Sequence, residues 1–362
     1  MERLYDKLKA YSESDFYAFH MPGHKRNKAL LGIELPYDLD ITEIDGFDDL
    51  HHADGILKEE QERAARVFGA EESHFLVNGS TAGILSAVMG CTHRGDKILV
   101  ARHCHKSIYH AIYMNGLVPR YVYPEFDISM HMNGEISKED VAKALAAEPD
   151  IKAVVIVSPN YDGVVSDVKG IAEVAHSYRI PLIVDEAHGP HFGFHPAFPG
   201  RANDLGADVV INSLHKTLPS LTQTAILHIN GKLANRRRIK KYLDMLQSSS
   251  PSYIFMASLD ACVDFLDGKC EEAFELYVER LQKFREELKP LQHLQILRTE
   301  HYDISKVVIS TANANITSPE LADRLRKEYH LEMEMTGGTY VLAMTTVADT
   351  QEGLDRLKSA LL

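Results

Sequence analysis

The sequence predicts an α/β fold built on a mainly parallel sheet, followed by a small C-terminal α+β domain. Three observations carry this: short β-branched apolar runs recur, amphipathic helical patterns separate them, and the texture changes after about Pro251. Buried parallel strands read as nearly continuous apolar runs and need crossover helices between them. In chain order, Val67 to Phe75 leads into a helix that begins near Ser80. Lys97 to Val100 is a short strand ending at Arg102, and Ser107 to Met114 is the helix after it. Leu117 to Tyr123, Ala153 to Ser158, Pro181 to Val184 and Asp208 to Asn212 have the same strand character, with helical patterns at Ser137 to Ala147 and Val168 to His176. Glu271 to Leu288 is a long amphipathic segment. Beyond it, Lys306 to Thr311, Ser318 to Tyr329, Tyr340 to Thr345 and Thr350 to Leu361 alternate strand and helix. The expected division is an N-terminal segment over 1–40, a large domain over 41–260 and the small domain over 261–362.

Composition narrows the class of molecule. A chain of 362 residues can bury a large core. Its 52 acidic against 39 basic residues give a net charge of -13, which argues against a nucleic-acid surface and favours cationic ligands. No apolar stretch reaches the roughly 18 residues of a membrane span, and MERLYDKLKAY lacks the apolar core of a signal peptide, so a cytoplasmic location is expected. Cys91, Cys104, Cys262 and Cys270 show no CxxC pairing and fit reduced, structural thiols.

Two segments concentrate the chemistry. Asp185 follows the apolar run Ile180 to Val184 and opens DEAHGPHFGFH, and Lys216 follows Ala207 to Asn212 within SLHKT. Ligands of open α/β sheets lie beyond the carboxyl ends of the strands. A carboxylate there can keep a pyridine nitrogen protonated and a lysine amine can form a Schiff base, so the pair has the residue types of a pyridoxal phosphate (PLP) site. A lone lysine after a strand is more often a solvated end cap; here His188 and His215 stand beside the two residues. Gly79-Ser80-Thr81, ahead of a helix, offers unpaired N–H groups, a positive dipole end and two hydroxyls to a phosphate. In isolation it reads more readily as an ordinary N-cap. His103-Cys104-His105 and the trio His188, His191 and His195 lack the spacing of a closed ligand set, so no metal is expected.

Seven blocks, in order, resemble the Orn/Lys/Arg decarboxylase family, fold-type I PLP enzymes that decarboxylate basic amino acids. They are FHMPGHK (Phe19 to Lys25), DITEIDGFDDLHH (Asp40 to His52), FLVNGSTAGI (Phe75 to Ile84), RHCHKS (Arg102 to Ser107), DEAHGPHFGFHP (Asp185 to Pro196), SLHKTLPSLTQTA (Ser213 to Ala225) and SSSPSYIFMASLD (Ser248 to Asp260). The chain is most similar to the shorter, Gram-positive-type members, and because it stops at Leu362 their further C-terminal domain is expected to be missing.

The resemblance implies an aspartate aminotransferase-like large domain with PLP on Lys216 and Asp185 at the ring nitrogen. It places the phosphate on Gly79, Ser80, Thr81, Ser213 and His215, and the ring between His105 and Ala187, with His188 among the cofactor and substrate contacts. Ser249 and Ser252, in a turn with Pro251, would reach the neighbouring subunit's phosphate, which implies a homodimer with shared sites. The implied reaction takes lysine, arginine or ornithine to its amine and CO2, with Lys216 or His188 returning a proton. The acidic block Glu43, Asp45, Asp48 and Asp49 is the expected reader of a cationic substrate tail, and His20, Pro22, Gly23, His24 and Lys25 line the entrance or a dimer contact. Two other outcomes stay open: an aminotransferase or lyase of the same fold, with Arg324 or Arg326 available to a substrate carboxylate, and a PLP-binding homologue with little turnover.

Overall fold

A computed structural model describes residues 2–128 and 130–362. The chain opens with α1 (Leu4–Ser12), then an irregular stretch and a 3₁₀ turn at Leu50–His52, then α2 (Ile56–Phe68). The large domain continues as β1 (Glu72–Leu76), α3 (Gly79–Cys91), β2 (Lys97–Ala101), α4 (Lys106–Asn115), β3 (Val118–Val122), the short β4 (Phe126–Asp127) and β5 (Met132–Asn133), and α5 (Lys138–Ala147). It proceeds through β6 (Val154–Val157), α6 (Val168–Ser177), β7 (Leu182–Asp185), β8 (Val209–Asn212), α7 (Leu214–Thr217), β9 (Ala225–Ile229), α8 (Arg236–Leu246) and α9 (Tyr253–Leu266). The C-terminal part holds α10 (Glu271–Glu287), β10 (Gln295–Leu297), β11 (Lys306–Ser310), α11 (Ser318–Tyr329), β12 (Met335–Thr336), β13 (Tyr340–Met344) and α12 (Gln351–Leu361).

Seven strands form the main sheet in the order β1-β9-β8-β7-β6-β2-β3. β3, β2, β6, β7 and β8 pair in parallel, and only β9 runs against its neighbours β8 and β1. Alternation along each strand feeds two apolar layers. Ile98 and Val100 join Ile84, Val88, Ile108 and Ile239 on one face, while Leu99 and Ala101 join Val141, Leu145, Ile171 and Val184 on the other. α8 lies so close to α3 that a Cβ on Gly90 would fall 2.5 Å from Ile239 Cγ1 and 2.9 Å from its backbone, so the packing requires glycine there. The C-terminal strands form an antiparallel sheet, β10-β11-β13-β12.

The predicted strands and helices fall within a few residues of their places, with three differences. Val67 and Phe68 end α2, so the strand before Ser80 starts only at Glu72. α1, α2, α7, α8, α9, β4, β5, β9, β10 and β12 are further elements beyond those the periodicity indicated. The expected division between 260 and 261 falls inside α9, because its apolar face runs unbroken through Tyr253, Met256, Leu259, Cys262, Val263 and Leu266 and the first glycine after it is Gly268. α9 is also tied to α2 by a buried cluster of Arg63, Glu60 and Asp260. Burial and the neighbouring Asp260 push Glu60 up to about 8, so it keeps its proton at pH 7.

Candidate active site

β7 and β8 end side by side, and the segments after them carry the chemistry. Asp185 closes β7 with its side chain buried, and its carboxylate accepts the N–H of Ala187 at 3.2 Å. Burial pushes this carboxyl up, while the charge of Lys216 and the Ala187 N–H oppose the rise. Lys216 sits in α7, directly beyond β8, and burial draws its amine below the ordinary lysine value against the pull of Asp185 and Glu334. Its Nζ lies 2.9 Å from Nε2 of His188, whose ring meets Tyr161 edge-on at 4.9 Å between centroids. Nδ1 of His188 lies 3.1 Å from Nζ of Lys306, which comes from β11 of the C-terminal sheet. Burial, then the charges of Lys306 and Lys216, hold His188 far below its ordinary value, so the ring is neutral.

The second pole of the site is the N-terminus of α3. Asn78 makes no side-chain cap there and instead accepts the N–H of Ser248 at 3.0 Å, so the first-turn N–H groups of α3 have no capping side chain. Gly79 has a positive φ of 73, which turns the chain into the helix. The Ser80 hydroxyl is hydrogen-bonded to that of Ser213 at the end of β8, which joins the helix start to the strand end that leads to Lys216. His215 donates from Nδ1 to the carbonyl of Thr224 at 2.8 Å, and among the described residues Nε2 has no hydrogen-bond partner. Glu186 braces this edge, accepting from Ala202 N–H at 2.9 Å and from Asn212 at 3.1 Å.

Other expected residues divide. His105 caps α4 through Ser107 and stands near enough to Lys216 and His188 to interact electrostatically with both; burial and then Lys216 lower it. Ala187 is buried beside Asp185, and Thr81 is exposed on the first turn of α3. Ser252 caps α9 by accepting from Phe255 N–H, while Ser249 is exposed. The three histidines of DEAHGPHFGFH go to different partners: His188 to the lysines, His191 to Asp303 and Thr217, His195 to Glu275. In the acidic block, Asp48 accepts from the N–H groups of Asp49, Asp54, Gly55, Leu57 and Lys58, and Asp49 caps the turn at His51; both are structural. Glu43 bonds Thr42 and keeps a buried Oε1 without a partner, and Asp45 is exposed. His20 bonds Tyr11 and His24 stacks on Tyr37 at 4.1 Å, both within the N-terminal segment. Arg324 and Arg326 lie exposed on α11, paired with Glu328 and Asp323.

Three residues of the site were not singled out in the sequence: Lys306, Tyr161 and Glu334. The Tyr161 hydroxyl donates to Glu334, and Glu334 is close enough to Lys216 to stabilise its charge. A lysine opening a strand and a glutamate in LEMEM carry no local signal; only the folded C-terminal sheet brings them to His188 and Tyr161.

The model of the Orn/Lys/Arg decarboxylase major domain matches residues 3–312. The chain belongs to the Orn/Lys/Arg decarboxylase family. Within it, the arginine decarboxylase of Bacillus subtilis (strain 168) is 34% identical over 373 residues, covering 99% of this chain and 76% of that protein. The crystal structure of the Francisella novicida lysine decarboxylase LdcF superposes with a TM-score of 0.85 at 20% identity; 99% of this chain matches 59% of that one. The alanine–glyoxylate aminotransferase of Nostoc sp. superposes with a TM-score of 0.68 at 15% identity, over 84% of this chain and 85% of that one. The family member therefore has the fold-type I architecture expected from its blocks. Among the described residues no helix is long and apolar enough to cross a membrane.

Proposed function

We propose that the protein decarboxylates a basic amino acid to its amine and CO2, with PLP held on Lys216. The observation that carries this reading is the placement of the Lys216 amine beyond β8, between the end of β7 at Asp185 and the ring of His188. The residues fit the cofactor at both ends: the first turn of α3 lacks a capping side chain and has two hydroxyls beside it, and among the described residues the Asp185 side chain accepts one hydrogen bond, from Ala187 N–H. When bound, PLP supplies an electron-accepting ring for the electron pair left on the substrate carbon as CO2 departs.

The chain's own groups have separable tasks. Gly79, Ser80 and Thr81 hold the phosphate together with Ser213 and His215, and Asp185 keeps a proton on the ring nitrogen. His105 and Ala187 flank the ring. His188 and Lys216, in contact at 2.9 Å, stand where a proton can be returned to the substrate carbon. Glu334, anchored by Tyr161, presents a carboxylate at the exposed side of the site, which suits a cationic tail. We further propose a cytoplasmic homodimer. The N-terminal segment exposes Phe16, Tyr17, Phe19, Met21, Leu30 and Leu31, with Tyr17 and Phe19 in ring contact at 4.9 Å, and a second copy would cover them. Ser249 and Ser252 belong to that shared site.

The test is to load the purified protein with PLP, offer lysine, arginine, ornithine and neutral amino acids in turn, and follow CO2 and amine together. Equal amounts of both from a basic amino acid are expected. An oxo acid in place of the amine, or no CO2 from any of them, overturns the assignment.

A further inference from the structure

Lys306 is fully buried, and among the described residues no carboxylate lies within ion-pairing distance of its amine. Its backbone is fixed, since Tyr302 and Arg285 donate to its carbonyl at 3.0 and 2.7 Å. Its stem runs along Gly163, where a Cβ would fall 2.7 Å from Lys306 Cγ and 2.9 Å from its Cβ at a φ of +102. The path is thus built to deliver the amine to Nδ1 of His188, 3.1 Å away, with Lys216 at 2.9 Å on the opposite ring nitrogen.

A neutral imidazole has one N–H and one lone pair, and an ammonium has only donors. Both contacts can be hydrogen bonds only if the row of three groups holds at most one positive charge. The groups facing the row decide where it rests. Asp303, Asp162 and Glu334 surround Lys306, with Lys216 opposed; Asp185 and Glu334 face Lys216; His105 and His215 stand near His188. Three carboxylates face Lys306 and two face Lys216, so the charge is better matched at Lys306. Burial lowers Lys306 to about 8 against the pull of these carboxylates, and burial lowers Lys216 as well.

We propose that Lys306 is a positioning residue whose ammonium donates to Nδ1 of His188, places the ring proton on Nε2, and so holds Lys216 as a free amine. This rests on the reading of Lys216 as the attachment point and says how that amine is kept reactive without an external base. A free amine is the form that condenses with a carbonyl.

Two measurements on the cofactor-free protein test it, and neither needs turnover, so they remain decisive if the decarboxylase reading fails. The ¹⁵N shifts of the His188 ring, assigned by difference from His188→Gln, are expected to show a neutral ring protonated on Nε2. The rate of covalent PLP attachment, followed by absorbance, is expected to be near its plateau at pH 7. In Lys306→Met the charge passes to Lys216, and attachment at pH 7 falls at least tenfold and recovers above about pH 9. Gly163→Ala, which displaces the stem while keeping the amine, shifts the profile in the same direction. A ring protonated on Nδ1, or attachment profiles that coincide in parent and variants, overturns the proposal. Should Lys306→Met not fold, the ring shifts of the unaltered protein decide alone.

Discussion

Replacing Asp48 by asparagine separates two roles for the acidic loop, architecture and substrate reading. The backbone at Asp48 has a φ of 67, a conformation asparagine accepts readily, so the change tests the carboxylate and not the turn. One oxygen accepts from Asp49 and Asp54 at 2.8 and 3.1 Å, the other from Gly55, Leu57 and Lys58 at 2.9, 2.9 and 3.4 Å. An amide has a single acceptor oxygen, so its NH2 must face two of these donors. Hydrogen bonds to a charged group contribute about 1.5–3 kcal/mol each when buried. Asp48 is only half-buried and water replaces part of the loss, which leaves a total of about 1–3 kcal/mol. Burial tends to raise this carboxyl, but the backbone N–H groups outweigh it and hold it below the ordinary value. Its contribution is therefore full above the unfolded value of about 3.9 and is lost as pH falls through the lower folded value. Urea unfolding should show the parent ahead of Asp48→Asn by a constant margin from pH 8 to pH 5. An unchanged midpoint, together with a KM raised for lysine or arginine but not for a neutral substrate, would refute the structural assignment.

The other expectations are briefer. Lys216→Ala should lose the borohydride-reducible PLP adduct, and an adduct that persists would move the attachment point elsewhere. Asp185→Asn should keep its fold by circular dichroism but lose several orders of magnitude in turnover, each tenfold corresponding to about 1.4 kcal/mol; rates near the parent's would remove it as the ring-nitrogen partner. Glu60, raised to about 8, stabilises the fold below its unfolded value and loses that contribution as pH rises through the folded one, so Glu60→Gln should match the parent near pH 5 and exceed it at pH 9 in urea midpoint. Midpoints that differ equally at both pH values would mean that Glu60 is already ionised. Sedimentation should give a dimer, and a stable monomer with full PLP occupancy would exclude a shared site.

What was legible in the sequence follows from how far each signal travels along the chain. Asp185 and Lys216 stand at the ends of adjacent parallel strands, so local apolar runs were enough to place them on one edge. Ser80 was read from a helix start and Ser213 only through the family resemblance; the two hydroxyls are in direct contact. The hydrogen bonds of Asp48 were not legible because its partners are backbone N–H groups, which every residue has and no motif advertises. Lys306 was invisible for another reason: it meets His188 from 118 positions away, across an element order that periodicity cannot fold. The boundary inside α9 was missed because a change of texture at Pro251 marks a loop, whereas the apolar face that follows belongs to both sides.

That shared face makes the molecule one cooperative unit. A single core takes in Leu57 and Phe75 of the large domain, Met256 and Val263 of α9, and Tyr277, Val307 and Leu354 of the small domain. Asp303, fully buried, answers His191 at 3.1 Å across the same junction. Peeling the C-terminal sheet away would expose the core and break this buried contact. An intermediate with one domain folded and the other melted is therefore suppressed. Heat should reveal one transition, and limited proteolysis should enter through the irregular stretch between α1 and α2 before it reaches the junction between the sheets.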